Sequence, residues 1–148
     1  MENLNVKMHG AFTLTLVKAS GEVETIHKDN LIVDVGFDLI SNAIFNSTRP
    51  AAANYIGIGT SSTAASAAQT ALVTQLGARA IGTYAHTPGT KVVTLSYTFN
   101  PGVNTGAITE AGIFNASTAG SMLDRVVFPV VNKGADDTLT TTFTLTMS

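Results

Sequence analysis

The chain has 148 residues, of which 45% are hydrophobic and 12% are charged, and its net charge is −2. The absence of cysteine excludes disulfides and thiolate metal sites, and the scattered basic residues give no electrostatic footprint for nucleic acid or an anionic membrane. This length is typical of one domain, so we expect a polar N-terminal arm over residues 1–10 and a single domain over residues 11–148.

No stretch of the chain approaches the roughly 20 apolar residues of a membrane span, and residues 1–10 carry no secretory signal pattern. We therefore expect a protein that folds in a cytoplasm without contacting a membrane. Because few residues are charged, hydroxyl and amide groups must form most of the polar surface that water hydrates. Such a surface suits a protein that works packed against other proteins.

The first two predicted strands form a hairpin. Apolar and polar residues alternate over residues 11–18 and again over residues 22–27, which is typical of strands with one buried face. Ser20 and Gly21 lie between them and predict a turn.

One helix is predicted after this hairpin. Apolar residues from Val35 to Ile44 recur at a spacing that gathers them on one side of a helix. Asp34 precedes them as a candidate N-cap, and Pro50 lies beyond the expected end. We expect this helix to cover one end or face of a sheet.

The middle of the chain combines short strands with a long loop. Residues 55–60 have strand character, residues 61–68 form a serine, threonine and alanine loop, and residues 70–76 suggest a short helical turn. Residues 78–85 and 91–100 predict a second hairpin. The glycines of residues 57–60 lack the lysine and hydroxyl pair of a phosphate loop and the third glycine of a dinucleotide fingerprint, so no nucleotide site is predicted.

A central hairpin is predicted over residues 107–131, with its turn at residues 115–121. It carries Glu110 and Arg125, which we expect to meet across the strands as a partly exposed structural ion pair. The alternative is a functional carboxylate. However, within twenty residues Glu110 has no histidine, cysteine or second acid except Asp124, so no partner that would tune it as an acid or base is evident.

The final predicted strand, residues 138–147, alternates threonine with large apolar side chains. About eight strands with one inserted helix predict a mainly β fold, namely an antiparallel β-sandwich or jelly-roll-like domain. The three histidines are isolated in sequence, so no metal site, no cofactor and no catalytic residue is predicted.

Three segments carry a resemblance to a known group of proteins: the helix region 30–46, the Gly-Ile-Gly-Thr sequence of residues 57–60 with its loop, and the sequences of residues 110–114 and 122–125. Together they resemble small structural proteins of tailed-bacteriophage virions over residues 30–148. The resemblance implies a virion location and no enzymatic activity. It implies the major capsid protein or other virion proteins as partners.

Three functions remain open from the sequence: a capsid decoration (cement) protein, a tail or tail-fibre component, and a carbohydrate-binding or hydrolytic module. A fibre would more often carry a heptad shaft, and a sugar platform would more often expose tryptophan; neither is present. We favour the cement protein, as a homo-oligomer and most simply a trimer. The candidate interface residues are Met1, Glu2, Asn3, Leu4, Lys7, His9, Ser61, Ser62 and Thr63.

Overall fold

The computed structural model describes residues 7–148, and these form a mainly β fold with one helix. The elements in chain order are β1 (Met8–Val17), β2 (Val23–Ile32), α1 (Asp34–Phe45), β3 (Tyr55–Gly59), β4 (Ala80–Ile81), β5 (Thr83–His86), β6 (Val92–Phe99), β7 (Gly106–Phe114), β8 (Met122–Lys133) and β9 (Thr138–Met147). The predicted mainly β class and single inserted helix are confirmed. So are the three predicted hairpins, which are β1–β2, β5–β6 and β7–β8.

The described strands form one nine-stranded antiparallel sheet in the order β4-β3-β7-β8-β2-β1-β9-β6-β5. Strand β2 joins its two halves, because most of β2 pairs with β1 while only Leu31 and Ile32 pair with β8. The two end strands, β4 and β5, follow one another in the chain and are separated by Gly82. Because this short connection joins the first and last strands of the sheet, the sheet must curl so that its two ends lie close together.

The two halves of the sheet enclose one hydrophobic core. Phe12 of β1 stacks on Phe128 of β8 at 5.2 Å between ring centroids and also contacts Phe143 of β9 at 4.9 Å. These aromatic contacts join strands from both halves, and each such pair contributes about 0.5–1.5 kcal/mol beyond the burial of its area. The alternating apolar residues of the predicted strands are thus the residues that fill the core.

Helix α1 forms where the spacing of apolar residues predicted it, but Asp34 is not its cap. The N-cap is Val33, with no side-chain capping bond, and Asp34 lies in the first turn, where the helix dipole favours a negative charge. Gly36 lies so close to the carbonyl oxygen of Leu123 that no side chain would fit. Leu39 is buried, whereas Phe45 is 84% exposed, so the helix rests on β8 by a narrow stripe.

The predicted helical turn at residues 70–76 is wrong. This segment is irregular, and Gln75 forms an isolated bridge with Gly59 instead. The strand predicted at residues 78–85 is divided into β4 and β5, which lie at opposite ends of the sheet. The division falls at Gly82, where a Cβ atom would come within 2.8 Å of Leu95. Helix propensity and strand propensity are local, and in both places tertiary contacts override them.

Strand β1 begins at Met8, three residues before the expected boundary between arm and domain. Lys7 also pairs with Ser148 through two backbone hydrogen bonds, of 2.7 and 2.8 Å. The rest of the predicted arm, residues 1–6, lies outside the described residues.

Candidate functional site

Glu110 and Arg125 lie on the adjacent strands β7 and β8 and form an ion pair. Both the Nε and the Nη2 atoms of Arg125 approach Oε2 of Glu110, at 2.9 and 2.8 Å. The pair was expected to be partly exposed, and that expectation is wrong, because both side chains are fully buried. Two charges removed from water need further hydrogen bonds to offset the cost of desolvation.

A long loop supplies part of those bonds. Residues 60–76, which we call the ion-pair loop, bind Glu110 of β7 and Arg125 of β8. Val73 and Thr74 donate their backbone N–H groups to the Glu110 carboxylate at 3.1 and 2.7 Å, and Ser61 N lies 3.4 Å away. Charged hydrogen bonds of this kind are about twice as strong as neutral ones.

Arg125 binds two further residues of the ion-pair loop, Thr63 and Gln69. Its Nη1 atom donates to the Thr63 carbonyl at 2.9 Å and to Oε1 of Gln69 at 3.1 Å. Gln69 in turn accepts from the Ser66 N–H at 3.0 Å and donates to the Ala64 carbonyl at 3.2 Å. The ion pair therefore fixes both ends of the stretch that the sequence predicted as a surface loop.

A small second core completes the attachment of the ion-pair loop. Leu72 is buried in the same cluster as Phe114 and Met122 on the hairpin. Gly59, just before the loop, has no room for a side chain, since a Cβ atom would come 2.8 Å from Cγ of Glu110 and closer still to the Thr74 carbonyl. Gly59 thus allows the chain to approach Glu110, whereas a Cβ atom at Gly57 would meet side chains of Phe114, Leu72 and Arg79.

The ion pair and the loop part of the predicted interface therefore form a single unit. Ser61 and Thr63 are hydrogen-bonded through their hydroxyl oxygens at 3.0 Å, and the Thr63 N–H donates to Oγ of Ser61 at 3.1 Å. Ser62 and Thr63 are exposed, while Ser61 is half-buried. The loop thus exposes small hydroxyl side chains, and its backbone is held in place by hydrogen bonds to the buried Glu110 and Arg125.

The N-terminal part of the predicted interface lies elsewhere. Lys7 is exposed beside β9, and His9 on β1 lies 3.3 Å from the exposed Asp29 of β2. Met1, Glu2, Asn3 and Leu4 lie outside the described residues.

Asp124 is a buried carboxyl group that sequence reasoning noted only as a neighbour of Glu110. Its Oδ1 atom accepts the Ile113 N–H at 3.1 Å, and Asn30 donates to Oδ2. Burial raises the pKa of Asp124 to about 7, although the two hydrogen bonds oppose the rise. Because Asp124 pairs with Ile32 in the sheet, it lies at the short junction of β2 with β8. The available signal was an acid beside Arg125 near the start of a largely apolar strand.

A cleft of about 510 Å³ opens between the two halves of the sheet. Its walls are mainly apolar and come from β6, β9, β7 and β8, with Ala52 and Tyr84 exposed at its rim. The residues that form it are Ala52, Ala53, Asn54, Tyr84, Val93, Thr94, Leu95, Ile113, Leu123, Phe143 and Leu145. Sequence reasoning missed this cleft because its walls come from distant parts of the chain.

The chemistry of the ion-pair site is structural. Both oxygens of Glu110 already accept hydrogen bonds from the protein, so neither is free to exchange a proton with a substrate.

Among residues 7–148 there is no cluster of three or more metal-binding side chains, and no helix is long and apolar enough to cross a membrane.

Comparisons of the chain with protein-family models, with curated proteins and with solved structures gave no match.

Proposed function

We propose that this chain is a bacteriophage virion structural protein, a capsid decoration protein that binds the assembled head and bridges capsid subunits. The observation that carries the proposal is the ion-pair loop, in which residues 62–68 are a mostly exposed run of small residues held in one shape by a fully buried ion pair. A loop ordered before binding loses little conformational entropy when it meets a partner. Small side chains let the partner's backbone approach closely.

The distribution of charge supports the same proposal. Few charged groups would need to lose water when this surface is covered, since charged residues make up 12% of the chain. A repeated capsid lattice multiplies weak individual contacts through avidity. The protein acts without enzymatic activity, and its partner is the major capsid protein.

Residues 1–10 form a second contact with neighbouring proteins in this proposal, and the protein is a homo-oligomer, most simply a trimer. The two halves of the sheet act as the layers of an antiparallel sandwich or jelly-roll-like domain. The shared core between β1, β9 and β8 supports that arrangement.

The test is add-back of purified protein to particles that lack it. Wild-type protein is expected to bind the head in hundreds of copies per particle, counted by quantitative mass spectrometry and located by electron microscopy. Ser62→Lys alters the exposed ion-pair loop and should weaken binding. Ser20→Lys, which puts the same charge on the exposed β1–β2 turn, should bind as wild type.

Two results would count against this proposal, one against the head location and one against the role of the ion-pair loop. One is a handful of copies confined to the tail, which would favour a tail or fibre component. The other is equal binding by both lysine variants, which would remove the ion-pair loop from the contact.

A further inference from the structure

The apolar cleft has room for several side chains that the described residues do not supply. Its volume of about 510 Å³ lies within the range of about 300–1,000 Å³ typical of binding pockets. Leu95, Phe143 and Ile113 belong to the buried core and also line this cleft. The cleft is therefore an open continuation of the core, and an apolar occupant would extend the core packing.

Among residues 7–148, no strand pairs with the outer edge of β5, and this edge borders the cleft. Strand β5 is the last strand of the sheet and pairs with β6, and all four of its residues are exposed. Just before β5, the Gly82 N–H donates to the Asn54 carbonyl at 2.7 Å, and this hydrogen bond joins the two ends of the sheet at that point. Tyr84, in the middle of β5, lines the cleft. An exposed edge of this kind is a template for an added strand, and the adjoining cleft can take that strand's alternate side chains.

Residues 3–6 have the sequence pattern for such a strand. Met8 packs against the core, whereas Lys7 is exposed. Alternate residues of a strand share a face. Leu4 and Val6 are therefore in phase with Met8, and Asn3 and Asn5 are in phase with Lys7. The segment thus offers an uncharged strand with one apolar face, which matches an apolar cleft beside a strand edge.

The distance across the sheet decides which copy supplies the segment. Strands β9 and β6 lie between β1 and β5, so the start of β1 is about 14 Å from β5 at the usual strand spacing. Crossing that distance takes about four residues at about 3.5 Å each. Val6 lies only two residues before Met8 and Leu4 only four, so one chain cannot reach its own β5 and also lay both side chains along it.

We propose that residues 3–6 of one copy add as a strand to β5 of a second copy and place Leu4 and Val6 in its cleft. This contact joins different surfaces of the two copies, and such head-to-tail contacts form a ring such as a trimer when the rotation between successive copies closes. The inference deepens the proposed function and rests on it only in assigning the N-terminal residues to a protein contact.

The first test measures self-association of the purified full chain by light scattering over a range of concentrations, without particles. Wild-type protein is expected to form a closed oligomer. Leu4→Asp should weaken association by about tenfold or more, because a charge replaces a buried leucine. Asn5→Asp adds the same charge on the opposite face and should leave association unchanged. A monomeric wild type, or equal effects of both variants, would overturn the proposal.

The second test uses the absence of cysteine from the chain. A Val6→Cys variant mixed with an Ala52→Cys variant should form a disulfide-linked heterodimer under mild oxidation, seen on a non-reducing gel. Asn5→Cys in place of Val6→Cys should cross-link much less. If the double variant Val6→Cys/Ala52→Cys gives only a disulfide within one chain, the segment fills its own cleft and the proposal fails. Since no particles are used, that failure leaves the test of head binding unaffected.

Discussion

Glu110 and Arg125 are 2.8 Å apart on adjacent strands, and neither side chain reaches solvent. Because backbone groups of the ion-pair loop bind both partners, removing either charge affects the hairpin and the loop together.

The variant Glu110→Gln should lower the free energy of unfolding by about 3–5 kcal/mol, because it leaves Arg125 charged, buried and without its counter-ion. Urea denaturation followed by circular dichroism measures the loss. Glu22→Gln is the matched control, since Glu22 lies 3.7 Å from Lys18 in an exposed pair. It should unfold within error of the wild type. Equal stabilities for the two variants would mean that Glu110 does not hold the fold.

Gln69→Ala should loosen the ion-pair loop while the sheet stays intact. The substitution removes the side chain that links Arg125 to Ser66 and Ala64. Hydrogen exchange followed by mass spectrometry should show faster exchange over residues 61–69 and unchanged exchange in β7 and β8. Ser62→Ala, at an exposed position of the same loop, is the control. Unchanged exchange in the Gln69 variant would contradict the role given to this side chain.

Gly59→Ala should destabilise the protein more than Gly57→Ala. At Gly59 a Cβ atom would press on the Thr74 carbonyl and come 2.8 Å from Cγ of Glu110, whereas at Gly57 the nearest atom is a side-chain atom of Phe114 at 3.2 Å. Forced overpacking costs about 1–3 kcal/mol, and a backbone group yields less than a side chain. Thermal and urea unfolding of both variants measure the difference, and the reverse order would disprove the argument.

Asp124 should make stability fall as pH rises between about 4 and about 7. Its pKa is raised from 3.8 to about 7 in the folded protein, so across that interval the folded state binds more protons than the unfolded state. The favourable contribution is complete below the unfolded pKa and is lost as pH rises through the folded pKa. The slope from this group approaches about 1.4 kcal/mol per pH unit.

The comparison that isolates this effect is wild type against Asp124→Asn, with urea unfolding measured at pH 5, 6, 7 and 8. The variant keeps an oxygen that can accept the Ile113 N–H and has no carboxyl group to titrate. The wild type should therefore lose stability relative to the variant as pH rises toward 7, and the difference should level off above it. Parallel curves across the range would show that Asp124 does not titrate there.

The local pattern of the sequence was sufficient to predict most of the regular elements. The alternation of threonine with large apolar residues predicted β9 with the bounds that the structure has, residues 138–147. The same kind of pattern predicted β1, β6 and the central hairpin. Period-two alternation is a property of a strand with one buried face, so it can be read without knowing the neighbouring strand.

Prediction failed where distant contacts determine the conformation. Residues 70–76 have helix-forming residues, but Val73 and Thr74 instead donate backbone N–H groups to Glu110 from an irregular segment. Residues 78–85 have strand character throughout, yet Gly82 divides them between opposite ends of the sheet. The contact with Glu110 leaves no signal in residues 70–76, whereas Gly82 is a local signal for a break in residues 78–85 but does not show where the two parts lie in the sheet.

The sequence by itself determined the mainly β class, the single helix and the proximity of Glu110 to Arg125, because each depends on periodicity or on a short hairpin. Only the tertiary structure decided that the ion pair is fully buried, that Asp124 lies at the junction of the two halves, and that an apolar cleft opens beside β5. Burial depends on what packs over a residue, and here the covering residues lie far away along the chain. Local periodicity carries no information about such partners.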